Sequence, residues 1–487
     1  MTYDQTWNSV GRHHIPEWFH DETFGIYFHW GPYSVPAYGN EWYPREMYRE
    51  GTDVHEHHVE TYGDPAEYGY HEFIPDFHGE AFDADEWATL CAEAGADYVG
   101  ITAIHHDGFA LWDSDLTAWN AVEMGPERDI VGELAEAVRD RDMKFLAAFH
   151  HAANWWYYPR DEAYHTMDPD YAGLYGPPHE EGDEPPESYV ERWRDLTVEV
   201  IDDYRPDLLW FDFGWGSDPF LAHDEYRRDV VAHYYNCAEE WGKEVDICHK
   251  EQLPPGVGIV DHERMRAEDV TLQPWLTDTS IDRASWGYIE NSDFKSVETM
   301  VTGFVDRVSK NGNTLLNVGP KPDGTIPEGA LERLRAFGDW LETNREAMSG
   351  TRPGWTFGEG PTDVTSGEFE EATSVAFTGE DVRFLRGTDE VYVVLLDWPD
   401  DGLVEVETSP RQLLSVSGHR QSRDTDASIV GAPDVDVALD VAETENGGWW
   451  PPEYDDAQTS VLQLELPADP PNGLDHAYVI RLEGSQE

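Results

Sequence analysis

The chain has 487 residues, 39% of them apolar, which suits two folded domains with sizeable cores better than one. Its 100 acidic residues against 32 basic ones give a formal net charge of -68, a surface that repels nucleic acid and anionic lipid and excludes both as partners. The acids run through the whole length rather than gathering in a tail, the pattern of adaptation to high salt, where a Debye length of ~3 Å near 1 M removes the self-repulsion.

From the N-terminus to about residue 350, short apolar runs alternate with longer amphipathic ones, the mark of βα units on a parallel sheet. Strands are expected at 24–29, 98–103, 144–149, 208–212, 245–249, 258–261 and 314–318, with an eighth sought near 272–275. Helices are expected at 85–94, 130–141, 189–204, 224–241, 295–309 and 328–346. In the first of them Trp87, Leu90 and Cys91 fall on one face, and Gly95 follows as a stop. The architecture these elements favour is a (β/α)8-like barrel. A doubly wound open sheet comes second, because the glycine fingerprint for phosphate is absent.

The texture changes at Gly350-Thr351-Arg352-Pro353. Residues 1–353 are therefore expected to form the catalytic barrel domain and 354–487 an antiparallel β-sandwich, with strands at 391–396, 404–408 and 461–466. The acidic stretches 424–440 and 444–456 are expected to be loops, and no internal repeat is found. Three cysteines, Cys91, Cys237 and Cys248, lack a CxxC spacing and are expected to be small buried thiols. Residues 1–20 lack an apolar targeting core and a twin-Arg, and no apolar run approaches ~20 residues, so the expected location is the cytoplasm. A homo-oligomer is neither required nor excluded.

Four groups of residues point to chemistry. The run 204–212 is an apolar strand ending on Asp212, and barrel active sites form at the C-terminal ends of strands. Capping the next helix is an equal reading for Asp212 alone. His105-His106-Asp107-Gly108 and His150-His151 follow two further strands, and His29 ends the first. Such histidines can hydrogen-bond vicinal hydroxyls or bind a metal, and several at equivalent ends suggest one polar pocket. Glu41-Trp42-Tyr43 sets an acid beside aromatics, which suits sugar binding and a plain surface loop equally. Asp261-His262-Glu263-Arg264 ends the sixth strand, and glycoside hydrolysis by the common route needs a second carboxyl. Glu263 is the first choice for it, with Glu268 and Glu251 as competitors.

Together these segments resemble glycoside hydrolase family 29, the retaining α-L-fucosidases. The resemblance rests on Phe24-Gly25-Ile26-Tyr27-Phe28-His29-Trp30-Gly31, Glu41-Trp42-Tyr43, His105-His106-Asp107-Gly108-Phe109, Leu111-Trp112-Asp113-Ser114, and Arg128-Asp129-Ile130-Val131-Gly132-Glu133-Leu134. It continues through Leu208-Leu209-Trp210-Phe211-Asp212, Ser285-Trp286-Gly287-Tyr288, Lys310-Asn311-Gly312-Asn313 and Leu315-Leu316-Asn317-Val318-Gly319-Pro320, in order over about 17–353.

The resemblance implies an α/β barrel with a companion sandwich, acting on fucosylated saccharides with no cofactor and no metal. Asp212 would be the nucleophile of a double displacement, ~5–5.5 Å from an acid/base that the family fixes poorly in sequence. Glu263 is the choice there, and Glu268 the second. His29, Glu41, Trp42, His105 and His106 match positions that hold the sugar's hydroxyls. Tyr27 and Trp286 are candidates for the apolar wall that faces the C5 methyl. Where many relatives carry Tyr, this chain has His150, which would take over that contact. Three alternatives stay open: an exo-glycosidase for a fucose-like sugar, a non-catalytic sugar-binding protein, and a His-dependent metallohydrolase.

Overall fold

The computed structural model describes residues 2–372, 375–407, 425–443 and 460–484. Eight parallel strands form one sheet: β1 Phe24–Phe28, β2 Tyr98–Ile104, β3 Lys144–Phe149, β4 Leu208–Phe211, β5 Asp246–His249, β6 Ile259–Val260, β7 Trp275–Ser280 and β8 Gly312–Val318. Their order is β6-β5-β4-β3-β2-β1-β8-β7. The two edges meet where Asp261 bridges Leu276. There the His262 amide donates to the Leu276 carbonyl at 3.0 Å and the Arg264 amide to that of Asp278 at 2.9 Å. The sheet is thus a barrel closed along a thin seam.

The main helices outside it are α1 Ala84–Glu93, α2 Ile130–Arg139, α3 Glu187–Tyr204, α4 Asp224–Trp241, α5 Val297–Ser309 and α6 Glu328–Met348. Local chemistry sets several ends. Asp83, Asp129 and Ser296 accept amide protons in the first turns of α1, α2 and α5. Gly242 ends α4 in the left-handed region. No helix links β5 to β6 or β6 to β7.

All seven expected strands are present. The eighth lies at Trp275–Ser280, so the expected 272–275 reaches only its first residue, and Leu272 is 99% exposed. The strand escapes a hydrophobic pattern because four of its six buried residues, Thr277, Asp278, Thr279 and Ser280, are polar.

The antiparallel part comprises β9 Arg352–Glu359, β10 Val382–Arg386, β11 Glu390–Leu395, β12 Leu403–Val406, β13 Thr425–Ile429, β14 Ala438–Glu443, β15 Ser460–Glu465 and β16 Tyr478–Gly484. They form a five-stranded sheet, β13-β16-β11-β10-β9, and a three-stranded one, β12-β15-β14. Val391, Val393 and Leu395 face the second sheet, packing with Val404, Val406, Leu462 and Leu464. Tyr392 and Val394 face the barrel's outer core. The acidic stretch 424–440, expected to be a loop, instead carries β13 and the start of β14. Asp426 and Asp440 sit on these strands with exposed side chains and Asp434 and Asp436 in the turn between them, while a buried residue such as Ile429 anchors β13. Thr408, Asp424 and the expected loop 444–456 lie outside the described residues.

One side chain after β9 binds the two parts together. The buried Glu371 takes the Lys295 ammonium at 3.0 Å, the Arg307 guanidinium and the Thr279 hydroxyl. Burial raises its pKa, but Arg307 and Lys295 outweigh that and hold it below the usual carboxylate range. Its contribution is present above the unfolded pKa of ~4.3 and is lost as pH falls through the depressed folded value. Glu371→Gln should cost ~3–5 kcal/mol in urea melts at neutral pH, because it leaves two buried cations unpaired; a cost under ~1 kcal/mol would show the cluster to be solvated.

Candidate active site

Along each barrel strand, alternate residues point inward. Tyr27, Ala148, Trp210, Cys248, Ile259, Leu276 and Leu315 form an apolar layer inside the barrel, with Phe19 among them. Two residues further on, the next inward position of each strand is reached. These positions hold His29, His150, Asp212, Lys250, Asp261, Asp278 and Asn317. One rule of alternation thus places seven polar groups on a single ring above the apolar layer.

The imidazoles gather on one side of this ring. The rings of His29, His105 and His150 lie 4.9–5.6 Å apart, and His106 stands 4.6 Å from His105. Adjacent histidines in a strand would point apart. A register shift between Thr102 and Ile104 takes His105 and His106 out of β2 into a loop, where both face the pocket. His151 does turn away, toward the Trp193 carbonyl. Gly108 closes the loop at φ +84, and a Cβ there would lie 2.2 Å from the Leu174 carbonyl oxygen.

Asn317 sets one of these rings. Its amide nitrogen donates to the Trp286 carbonyl at 2.6 Å, so its oxygen faces His29 and accepts from Nδ1 at 2.8 Å. Nε2 of His29 is left as an acceptor toward the pocket. Burial lowers His29 to about 4 and drives His105 and His150 well below their usual values. These three are neutral rings that both donate and accept, and Nδ1 of His105 and of His150 lack protein partners. One ring nitrogen from each of the three lies within 4.8 Å of the others. That spacing embraces a hydroxyl-bearing ring, or a transition-metal ion if the rings draw together.

Opposite stand the carboxylates. His106 Nε2 lies 3.2 Å from Asp212 Oδ2, and its Nδ1 lies 2.8 Å from the His150 carbonyl. Both partners are hydrogen-bond acceptors, and between them they fix the orientation of the ring. Burial pushes the Asp212 pKa up, but the His106 hydrogen bond and charge, Lys250 and the Phe213 amide outweigh it, and the carboxyl is held below its usual value. Lys250 reaches Asp278 at 2.6 Å, Asp261 at 2.9 Å and Glu263 at 3.4 Å. Glu263 is pushed up to about 7 by burial and by the charge of Asp278, against Lys250, with Asp212 adding to the rise. Two nearby carboxyls are thus held apart in acidity: one stays ionised, and the other keeps a proton near neutrality.

The remaining candidates line the same space. Glu41 is buried, accepts from the Trp286 amide at 2.9 Å and is raised mainly by burial. Trp42 packs against His106 at 5.2 Å. Trp286 is partly exposed, 5.5 Å from His29. Tyr27 is wholly buried behind them, with its hydroxyl on Asp278 at 3.3 Å. A Cβ on Gly319 would fall 2.6 Å from the Gly287 backbone, so two loops meet there in a contact only glycine permits. Glu268 and Glu251 are exposed. Lys250, Asp278 and Asn317 had no assigned role in the sequence reading. A cleft of about 700 Å3 opens beside Trp42 and Tyr157, lined by Trp156, Phe213 and Leu221.

Comparison with known proteins gives the family. The sequence model of the family described as Alpha-L-fucosidase matches residues 1–346. The tissue alpha-L-fucosidase of Rattus norvegicus is 31% identical over 418 residues, 83% of this chain and 81% of that protein. The human tissue enzyme is 30% identical over 421 residues, 83% of this chain and 81% of its own. Among solved structures, the Thermotoga maritima alpha-fucosidase in complex with fucose superposes with a TM-score of 0.75 at 28% identity, covering 98% of this chain and 99% of that one. The chain belongs to the α-L-fucosidase family of glycoside hydrolases.

Proposed function

We propose that the protein is an exo-acting, retaining α-L-fucosidase adapted to high salt, with residues 1–353 as its catalytic domain and 354–487 as a companion sandwich. The observation that carries this is the acidity split between Asp212 and Glu263 in a pocket lined by neutral imidazoles. Asp212, ionised, attacks the anomeric carbon and forms a glycosyl-enzyme. Glu263 gives its proton to the leaving oxygen, then takes one from the water that attacks the intermediate. His29, His105, His150 and Glu41 hold the hydroxyls, and Trp286 faces the C5 methyl. His106 keeps Asp212 ionised and aimed. The leaving group extends into the cleft lined by Trp156, Phe213 and Leu221.

The salt reading is supported by where the lysines are. There are six, and none is exposed. Lys250, Lys295 and Lys310 are each held by carboxylates at 3.0 Å or less. The surface has kept acids and given up ammonium groups. Turnover should accordingly rise from dilute to molar KCl; an optimum in dilute buffer would sink the salt reading.

The direct test is release of p-nitrophenol from p-nitrophenyl α-L-fucoside in molar KCl, with the first-formed sugar followed by NMR. Fucose should appear first as the α anomer. Initial β anomer would overturn retention. Faster turnover of the α-L-galactoside, which differs only at C5, would assign the pocket to the other sugar.

A further inference from the structure

A second constellation lies on the outer face of the barrel. Asp202 is in α3, and His233 and Cys237 are in α4. His233 and Cys237 are four residues apart, so one helical face carries both, and α3 brings Asp202 against them. His233 Nε2 lies 2.6 Å from Asp202 Oδ1 and 3.5 Å from Cys237 Sγ, and Sγ lies 3.9 Å from Oδ1. Around a tetrahedral zinc ion with bonds of ~2.0–2.3 Å, ligand atoms of these three kinds stand ~3.4–3.6 Å apart. The two edges through sulfur therefore match within a few tenths of an ångström. The third needs the Asp202 carboxylate to swing out by under ~1 Å, and that carboxylate is half exposed. All three side chains are at least partly accessible, which leaves a fourth position open to water.

We propose that Asp202, His233 and Cys237 form a binding site for a borderline-soft divalent cation of the zinc type. A set of one imidazole, one thiolate and one carboxylate favours zinc or cobalt over magnesium or calcium, which prefer oxygen alone. The free thiol keeps its proton, pushed up to about 11 by partial burial and by the charges of Asp202 and Glu240. Binding forms the metal–sulfur bond and sends that proton to solvent, while His233 moves its Nε2 proton to Nδ1 and lends the Nε2 lone pair. No redox partner is required. The ion would tie α3 to α4, the helices on either side of β4 in the chain, and β4 leads into Asp212.

The test is titration of the full, reduced chain with Co2+ as the spectroscopic stand-in for zinc. A thiolate-to-cobalt charge-transfer band should grow to saturation at one equivalent and bleach when Zn2+ is added. It should be absent in Cys237→Ser, and the affinity should drop at least tenfold in His233→Ala, with turnover of the aryl fucoside unchanged in both. A measurement that needs no variant reads the same site: saturating Zn2+ should slow labelling of Cys237 by a thiol reagent at least tenfold, while Cys91 and Cys248 are buried. The proposal is overturned if no thiolate band forms, if the band survives in Cys237→Ser, or if zinc leaves the labelling rate unchanged. Cobalt bound without that band, and lost in His105→Ala, would place the ion among the pocket imidazoles and equally overturn it.

Discussion

Asp212→Gly should lower kcat on p-nitrophenyl α-L-fucoside by ~10^4-fold or more, and added azide or formate should restore part of it. The expectation rests on the position of the side chain. It is the inward residue two past Trp210, and its backbone amide is tied to the Phe149 carbonyl at 3.0 Å. Its carboxylate is 3.2 Å from the His106 ring and is kept ionised despite burial. The other acids on this ring are held differently. Asp261 and Asp278 share Lys250, and burial together with Asp278 drives Asp261 well above the ordinary range. Glycine leaves a hole the size of a small anion, so an external nucleophile can fill it and the product would be the inverted adduct. A variant within tenfold of wild type would move the nucleophile elsewhere on the ring.

Glu263→Ala should behave differently. Loss of the proton donor costs ~10^2–10^4-fold on fucosides with poor leaving groups and much less on activated aryl fucosides, which leave without help. The pH profile adds a second reading. In the proposed mechanism Asp212 works ionised, above its lowered pKa, and Glu263 works protonated, below about 7. Wild-type kcat/KM should therefore fall on the alkaline side as pH rises through about 7, and that limb should vanish in Glu263→Ala. Glu268→Ala should leave both the limb and the leaving-group dependence as they are. Equal losses for good and poor leaving groups would remove Glu263 from the role.

Most of the barrel is legible in the sequence, because seven of its strands are apolar runs that end on a histidine, an acid or a glycine-rich turn. β7 is not, since Thr-Asp-Thr-Ser reads as a loop until one knows that Lys250 and the barrel interior bury it. The site was legible where motifs are dense, at His29, His105, His106 and Asp212. Lys250 and Asp278 carry no motif of their own, and Asn317 lies in one that assigns it no role. They follow from counting two residues beyond the last inward apolar side chain, Cys248, Leu276 and Leu315. The rarity of lysine in this chain was a further signal that Lys250 has a task. His106 facing Asp212 was not readable at all, because it depends on a bulge that a strand pattern does not reveal. In the sandwich, β13 was hidden because Thr-Asp-Ala-Ser-Ile carries an exposed acid and a single large apolar residue.

The seam between β6 and β7 has a consequence for motion. β6 is two residues long, is paired to β5 through only two positions, and meets β7 through the Asp261–Leu276 bridge and a few bonds around it. Neither connection contains a helix. In deuterated buffer the amides of 259–264 should exchange ahead of those in β1, β3 and β4, which are laddered on both sides. The nucleophile candidate thus belongs to the slow-exchanging half of the barrel and the acid candidate to the half that opens first. A segment with so few backbone bonds can be rebuilt without unpicking its neighbours, whereas the strand carrying Asp212 cannot.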